Sequence, residues 1–215
     1  MTANDNGGLR ERKKAATREA LSAAALRLAL EHGPQNVRVD DIAEAAGVSP
    51  RTYNNYFSSR EAAIVAAVAA ERALRVGAAL RERPADEPLA EAVIEAVVSQ
   101  YDEPGLPAGE LLKLVASTAG LRTEFVGTVA AIEQPIANAI ATRTGDEGLA
   151  PKVLAAAVSA AARVAVENWI RPAEDDEEQA GGSLLVVPSG SLPDLLRKAL
   201  ASVAPALEAA DPAAP

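Results

Sequence analysis

The chain has 215 residues and a mass of 22.1 kDa, enough to bury the core of one large helical domain or of two small ones. It contains no cysteine, which excludes a disulfide framework and a thiolate metal site. No apolar run reaches the roughly 18 residues that a membrane span needs, and the N-terminus lacks an apolar signal core. We therefore expect a cytoplasmic protein, without membrane association, metal or cofactor.

The charge is unevenly distributed along the chain. The formal net charge is −9, which argues against nucleic-acid binding by the chain as a whole. Residues 1–60, however, carry +2 and the remainder carries −11. This asymmetry is expected if only the N-terminal part meets phosphates.

A basic cluster marks the N-terminal region. It follows residues 1–9, which are polar and glycine-rich and which we predict to be disordered, and it consists of Arg10, Arg12, Lys13, Lys14 and Arg18. Two interpretations are open: the solvated start of a helix, or an arm that contacts phosphate or the minor groove. Beside the motif described next, we favour the second. The first helix is predicted for residues 15–32, and Gly33-Pro34 ends it.

Residues 37–61 have the pattern of two short helices joined by a tight turn. The first helix is predicted for residues 40–46, and Gly47 follows where the chain needs a residue that tolerates positive φ. Ser49 supplies an N-cap oxygen, and Pro50 occupies the first position of the second helix. This is a helix-turn-helix, in which the second helix enters the major groove of DNA.

The side chains of the second helix suit DNA recognition. Asn54 and Asn55 each offer an amide that can pair with adenine through two hydrogen bonds. The other candidate contacts, at the groove entrance or to phosphates, are Arg51, Thr52, Tyr53, Tyr56 and, at the start of the next helix, Arg60. The alternative is a merely polar surface, but two tyrosines and two asparagines on one short helix favour a DNA-binding role.

These residues carry a family resemblance. Residues 15–65 resemble the DNA-binding domain of the TetR family of transcriptional regulators, most diagnostically in IAEAAGVS, in the Tyr-x-x-Tyr-Phe segment and in Ser-Arg-Glu. One departure is that Arg38 and Val39 stand where the family usually has Ser or Thr ahead of the first of the two helices. We expect Asp40 or Asp41 to compensate through the helix dipole.

The resemblance implies an all-α protein with two domains. Residues 1–60 would form a three-helix helix-turn-helix domain that binds double-stranded operator DNA, and residues 61–215 a helical domain for ligand binding and dimerisation. It also implies a homodimer on a palindromic operator and a small-molecule effector. Helices 151–170 and 191–209 would build the four-helix dimer interface.

The remaining helices are predicted from periodicity and breakers. After a connector helix over residues 61–83, helices are predicted for 89–101, 109–119, 121–142 with a kink at Pro135, 151–170 and 192–209. Residues 172–190, acidic and then glycine-rich, are predicted to be a mobile loop.

The effector site is sought among the larger side chains of the alanine-rich C-terminal half. The candidates are Tyr101, Phe125, Val129, Glu133, Asn168 and Trp169. For Phe125 and Trp169 a plain core position is an equal alternative. The Arg-Thr-Tyr-x-x-Tyr-Phe and Gly-Leu-Arg-Thr-Glu-Phe segments also resemble an actinobacterial subgroup of the family that senses fatty acyl-CoA thioesters.

Three rival functions remain to be weighed. An enzyme is disfavoured, because the single histidine, His32, stands beside a helix end and the chain has no phosphate-binding glycine motif; no catalytic residue is predicted. A ligand-independent DNA-binding dimer would have a solidly packed C-terminal half. An activator would use the same DNA-binding module as a repressor, so the sequence does not separate the two.

Overall fold

A computed structural model of the chain describes residues 4–101, 114–170 and 191–211. Within these ranges the secondary structure is entirely helical, which confirms the predicted all-α class. The α-helices are α1 Asn4–His32, α2 Val39–Ala45, α3 Pro50–Tyr53, α4 Arg60–Glu82, α5 Leu89–Val98, α6 Ala119–Gly127, α7 Glu133–Thr144, α8 Ala150–Trp169, α9 Leu192–Ala201 and α10 Ala204–Glu208. Short 3-10 helices cover Pro34–Asn36, Ser99–Tyr101 and Thr128–Ile132.

The chain divides into two compact units within α4. Unit 1 comprises residues 1–68 and unit 2 residues 69–215. The predicted domain boundary after residue 60 lies at the start of α4. It stays a prediction, because α4 contributes to both units.

Unit 1 is held together by the apolar faces of its helices. Leu21 and Ala25 of α1, Ile42 of α2 and Ile64 of α4 are fully buried. Helix α1 begins at Asn4, so the predicted disorder is wrong for residues 4–9, the part of this stretch that the structure describes. The reason is that residues 9–16 are good helix formers, which extend the helix N-terminally from its packed part.

The turn between α2 and α3 forms as the sequence predicts. Gly47 has φ of +69°, a conformation that costs glycine little and other residues more. At the start of α2, the Asp41 carboxylate accepts a hydrogen bond from the Arg38 backbone N–H at 3.3 Å. Asp41 thus makes the bond of a capping box that runs back to the N-cap N–H, whereas no side chain at position 38 takes the place of the hydroxyl that the family usually has.

Unit 2 is built around α8. This helix packs against α7 on one side and α9 on another, and it buries Leu154, Val158, Ala162 and Val166. Helices α4 and α7 come unusually close, since a Cβ placed on Gly77 would lie only 3.0 Å from the Cβ of Pro135. The absence of a side chain at position 77 is what permits this approach.

Two of the predicted long helices are interrupted. The helix predicted for 121–142 is α6 and α7 with the 3-10 helix Thr128–Ile132 between them. The break precedes Pro135 because proline cannot donate a backbone hydrogen bond to the preceding turn and is tolerated near a helix start.

The last predicted helix, 192–209, is also divided, into α9 and α10. Residues 202 and 203 bond backward over three residues, to Ala199 and Leu200, and Pro205 starts the next helical turn. Residues 109–113 of the helix predicted for 109–119, and the loop predicted for 172–190, lie outside the described residues.

Candidate nucleic-acid interface and effector site

The second helix of the helix-turn-helix is capped by Ser49. Its hydroxyl oxygen accepts a hydrogen bond from the Thr52 backbone N–H at 3.1 Å and lies 2.9 Å from the Thr52 hydroxyl. Pro50 occupies the first helical position, and the Val48 N–H donates to the Ala43 carbonyl at 2.9 Å. These bonds satisfy backbone groups that the short connection would otherwise leave open, and they confirm the predicted cap.

The second helix is shorter than predicted. Regular α-helix ends at Tyr53, and the chain then tightens into a turn in which Asn55 N–H donates to the Thr52 carbonyl at 3.0 Å and Tyr56 N–H to the Tyr53 carbonyl at 2.8 Å. Asn54 and Asn55 therefore lie on a turn rather than within the α-helix. Both are exposed, as is Arg51, whereas Tyr56 is half-buried. We call residues 51–56 the recognition segment.

Tyr53 is a core residue. Its side chain is 1% exposed, its hydroxyl donates to the Ser59 carbonyl at 2.7 Å, and its ring centroid lies 5.8 Å from that of Phe57. Burial, followed by the charge of Glu61, raises the pKa of Tyr53 to about 12. The predicted phosphate contact of Tyr53 is therefore wrong, because this hydroxyl joins the recognition segment to the start of α4.

Arg60 also makes its bonds inside unit 1. Its Nη1 donates to the carbonyls of Gln35 and Val37, both at 3.2 Å, and its Nε donates to the Glu61 carboxylate at 2.9 Å. Arg60 thus ties the segment before α2 to α4. A phosphate contact through its remaining N–H groups stays a prediction.

The basic cluster forms part of α1 and not a separate arm. Arg10, Lys13 and Lys14 are exposed, and their spacing of three and four residues places them on one face of the helix. We call these three residues the basic stripe. One turn further, Arg18 donates to the Tyr56 carbonyl at 2.9 Å and its guanidinium lies 4.4 Å from the Phe57 ring centroid. The cluster therefore ends against the recognition segment.

The role of Arg18 is one that the sequence does not reveal. It belongs to the basic cluster in the sequence, but its guanidinium is engaged by a backbone carbonyl and an aromatic ring of the same unit. The only signal in the sequence is its position four residues after Lys14, which places it on the same helix face. Such a spacing does not distinguish an internal contact from a phosphate contact.

The effector candidates fall into two groups in unit 2. Phe125 and Val129 are buried, and Tyr101 and Phe125 both face one arginine, Arg72, whose guanidinium carbon lies 5.1 and 4.9 Å from their ring centroids. Sequence reasoning missed Arg72. Among the described residues, no hydrogen bond, ion pair or ring contact joins this group to the remaining candidates, Glu133, Asn168 and Trp169. Asn168 is exposed and its amide donates to the Val164 carbonyl at 2.8 Å.

Comparisons with known proteins cover both parts of the chain. Residues 21–68 match the family described as bacterial regulatory proteins, tetR family, and residues 84–208 match the MftR C-terminal domain. The HTH-type transcriptional regulator TcmR of Streptomyces glaucescens is 32% identical over 183 residues, which is 80% of each chain. The chain belongs to the TetR family.

TetR-family proteins are DNA-binding transcriptional regulators and not enzymes. A solved structure of the same fold is FadR of Thermus thermophilus, a TetR-family transcriptional repressor in complex with lauroyl-CoA. It has a TM-score of 0.51 and 16% identity to this TetR-family chain, and the match covers 86% of this chain and 92% of FadR. At that identity the likeness concerns the fold. None of the helices in the described ranges has the length and apolar character to cross a membrane.

Proposed function

We propose that the chain is a ligand-responsive repressor that binds a palindromic operator as a homodimer and is released by a small apolar or amphipathic molecule. The observation that supports it most is the recognition segment, which exposes Arg51 on the capped second helix of the helix-turn-helix and Asn54 and Asn55 on the turn that ends this helix. Exposed polar side chains at this place can meet base edges.

The contacts with DNA divide into two kinds. Arg51 can pair with guanine, and Asn54 and Asn55 with adenine, through two hydrogen bonds each in the major groove. The basic stripe and the hydroxyl of Tyr56 would meet phosphates and fix the position of the protein on the duplex. Together these contacts recognise only a few base pairs. So short a sequence does not give specificity unless two copies of the protein bind together.

The exposed face of α8 supports dimerisation. Leu149, Val153 and Val164 are 75%, 64% and 45% exposed, and Ala156 and Ala160 lie exposed between them at helical spacing. We call these five residues, of which Leu149 directly precedes the helix, the α8 stripe. An exposed aliphatic face with small residues at its centre suits close packing against the same face of a second copy. A dimer would then present two recognition segments to half-sites roughly 34–36 Å apart.

The effector would act by favouring one of two conformations of the dimer. A ligand shifts such an equilibrium only as far as its affinities for the two states differ. The chain shares its fold with Thermus thermophilus FadR, whose structure holds lauroyl-CoA, and this supports an amphipathic effector. The two alternatives within the family fold are an activator and a ligand-independent DNA-binding dimer.

The DNA-binding part is tested with Asn55→Ala on an operator selected from random duplexes. We expect binding of the selected operator to weaken by roughly 5- to 150-fold, because a good pair of base contacts contributes about 1–3 kcal/mol. Gln35→Ala is the matched control, because Gln35 is an exposed amide of unit 1 outside the recognition segment. Equal operator affinity of Asn55→Ala and the wild type would contradict the assignment.

The dimer is tested by sedimentation of Val153→Glu. A charge on the α8 stripe should convert the dimer into monomers, because it would be buried without a partner. Thr123→Glu, an exposed position on α6, should leave the dimer intact. A dimeric Val153→Glu would place the interface elsewhere.

The effector part is tested by adding lauroyl-CoA to the protein–operator complex. Loss of operator affinity supports the repressor with an amphipathic effector. Unchanged affinity with lauroyl-CoA and with dodecanoate would favour the ligand-independent dimer.

A further inference from the structure

Arg72 in α4 is the one charged side chain that the structure buries among the residues it describes. It is 5% exposed, although arginine is among the residues least often found fully buried without a partner. It belongs to unit 2, whereas the recognition segment belongs to unit 1. Binding of DNA by the recognition segment therefore does not account for it.

Among the residues that the structure describes, none neutralises the charge of Arg72. Its Nη1 has no hydrogen-bond partner in the described part of the chain, and no ion pair to Arg72 is formed there. The rings of Tyr101 and Phe125 lie 5.1 and 4.9 Å from its guanidinium carbon and stabilise the cation only partly. Burying a charged donor without an acceptor costs free energy. A ligand that supplies the acceptor removes a large part of this cost and therefore binds more tightly.

A second arginine adds to the positive charge. Arg75 lies one turn further along α4 and is therefore on the same face as Arg72. Its Nη1 is 3.7 Å from the Glu71 carboxylate, but its buried Nε has no partner among the described residues. The acidic neighbour thus leaves the buried edge of Arg75 unmatched, and this part of α4 carries more positive charge than its carboxylates offset.

We infer that Arg72, Tyr101 and Phe125 form an anion-binding site and that the effector carries a carboxylate or phosphate group which Arg72 holds. This rests on the proposed function, because it assigns the chemistry of the effector of that same repressor. The rings of Tyr101 and Phe125 hold the guanidinium in place, and its planar array of donors matches the oxygens of a carboxylate or phosphate. The apolar rings suit the body of an amphipathic molecule.

The test uses the full-length protein without DNA and three probes with the same alkyl chain: dodecanoate, dodecyl phosphate and neutral 1-dodecanol. Calorimetry gives the Kd of each. We expect the wild type to bind at least one anion roughly 10- to 100-fold more tightly than the alcohol, as for a hydrogen-bonded charge pair. The tighter of the two anions identifies the group as carboxylate or phosphate.

Substitutions of Arg72 decide whether this preference belongs to it. Arg72→Met should bring the ratio of the two Kd values to about one, and Arg72→Lys should keep a smaller preference, because lysine retains the charge but not the planar array of donors. Arg81→Gln, an exposed arginine of the same helix, is the control and should leave the ratio unchanged. Without ligand, Arg72→Met should melt no lower than Arg81→Gln, because it removes a buried charge that has no acceptor.

The inference is overturned if the wild type binds none of the probes, or binds anions and alcohol equally. It is also overturned if Arg72→Met keeps the preference, or if it melts well below the control, which would make Arg72 a purely structural residue. Failure of the proposed function is distinguishable, since operator binding and release are measured separately. Anion binding through Arg72 without release from the operator would keep this inference and refute the release mechanism.

Discussion

Replacing Tyr53 with phenylalanine tests whether this residue belongs to the core of the helix-turn-helix or to its DNA-binding surface. The change removes one oxygen atom and with it the 2.7 Å hydrogen bond from the hydroxyl to the Ser59 carbonyl. The ring keeps its place in the core, where it lies 5.8 Å from Phe57. Tyr56→Phe is the matched control, because the same atom is removed from a half-buried residue of the recognition segment.

The expected cost of Tyr53→Phe is about 0.5–1.5 kcal/mol in the free energy of unfolding, the net contribution of one protein hydrogen bond. The sign of the pH dependence follows from the pKa of Tyr53, which burial raises to about 12. A group whose pKa is raised in the folded state contributes stability that is complete below its ordinary value of 10. That stability is lost as the pH rises towards 12, so the advantage of the wild type over Tyr53→Phe should shrink over this range.

Two measurements on each variant check these expectations. Urea denaturation should show a lower midpoint for Tyr53→Phe than for Tyr56→Phe, whereas operator binding of the folded protein should be weakened only in Tyr56→Phe. If Tyr53→Phe is as stable as the wild type and instead loses operator affinity, then the hydroxyl of Tyr53 meets DNA and our correction of its role is wrong.

Two further perturbations test other parts of the chain. The hydrogen bond from the Arg83 Nε, at 2.6 Å, lowers the pKa of Glu87 below its ordinary value of 4.5. The Glu87→Gln variant should therefore be less stable than the wild type at neutral pH, by up to about 1 kcal/mol for a partly exposed pair. Acid denaturation should show that this difference vanishes as the pH falls below 4.5. The double change Lys13→Gln and Lys14→Gln should weaken binding to all duplexes and reduce the slope of log K against log salt by about 0.9 for each lost phosphate contact. Arg27→Gln, an exposed arginine paired with Glu31 at 3.3 Å, is the control for charge, and an unchanged slope in the double variant would remove the basic stripe from the interface.

Local rules predicted the parts of the fold that depend on neighbours in sequence. The Ser49 cap, the positive φ of Gly47 and the two ends of α4 follow from side chains within one helical turn of the feature. The contribution of Asp41 at the start of α2 was likewise predicted, because the family's hydroxyl is missing at position 38 and an acidic residue stands in the first turn. For the same reason, the short segment of residues 15–65 was sufficient to indicate the TetR family.

The errors concern side chains whose partners are distant in sequence or depend on packing. Tyr53 and Tyr56 look equivalent in the sequence, and only the position of the Ser59 carbonyl and of Phe57 makes one of them a core residue. The sequence suggests a phosphate contact for Arg18, whereas its guanidinium donates to the Tyr56 carbonyl, 38 residues away. Arg72 lay in an alanine-rich helix and gave no signal at all, because its burial is a property of unit 2 as a whole.

Because α4 and α7 approach closely at Gly77, a substitution at this position can change how the two helices pack without removing a contact to the operator or to the effector. A methyl group at Gly77 would meet Pro135 at 3.0 Å, closer than ordinary van der Waals contact, so α4 and α7 would have to adjust by a few tenths of an ångström. Arg72 lies five residues earlier on α4. A genetic screen for altered induction should therefore find substitutions of Gly77 as a separate class. They change the spacing of α4 and α7, whereas other variants remove a charge or a base contact.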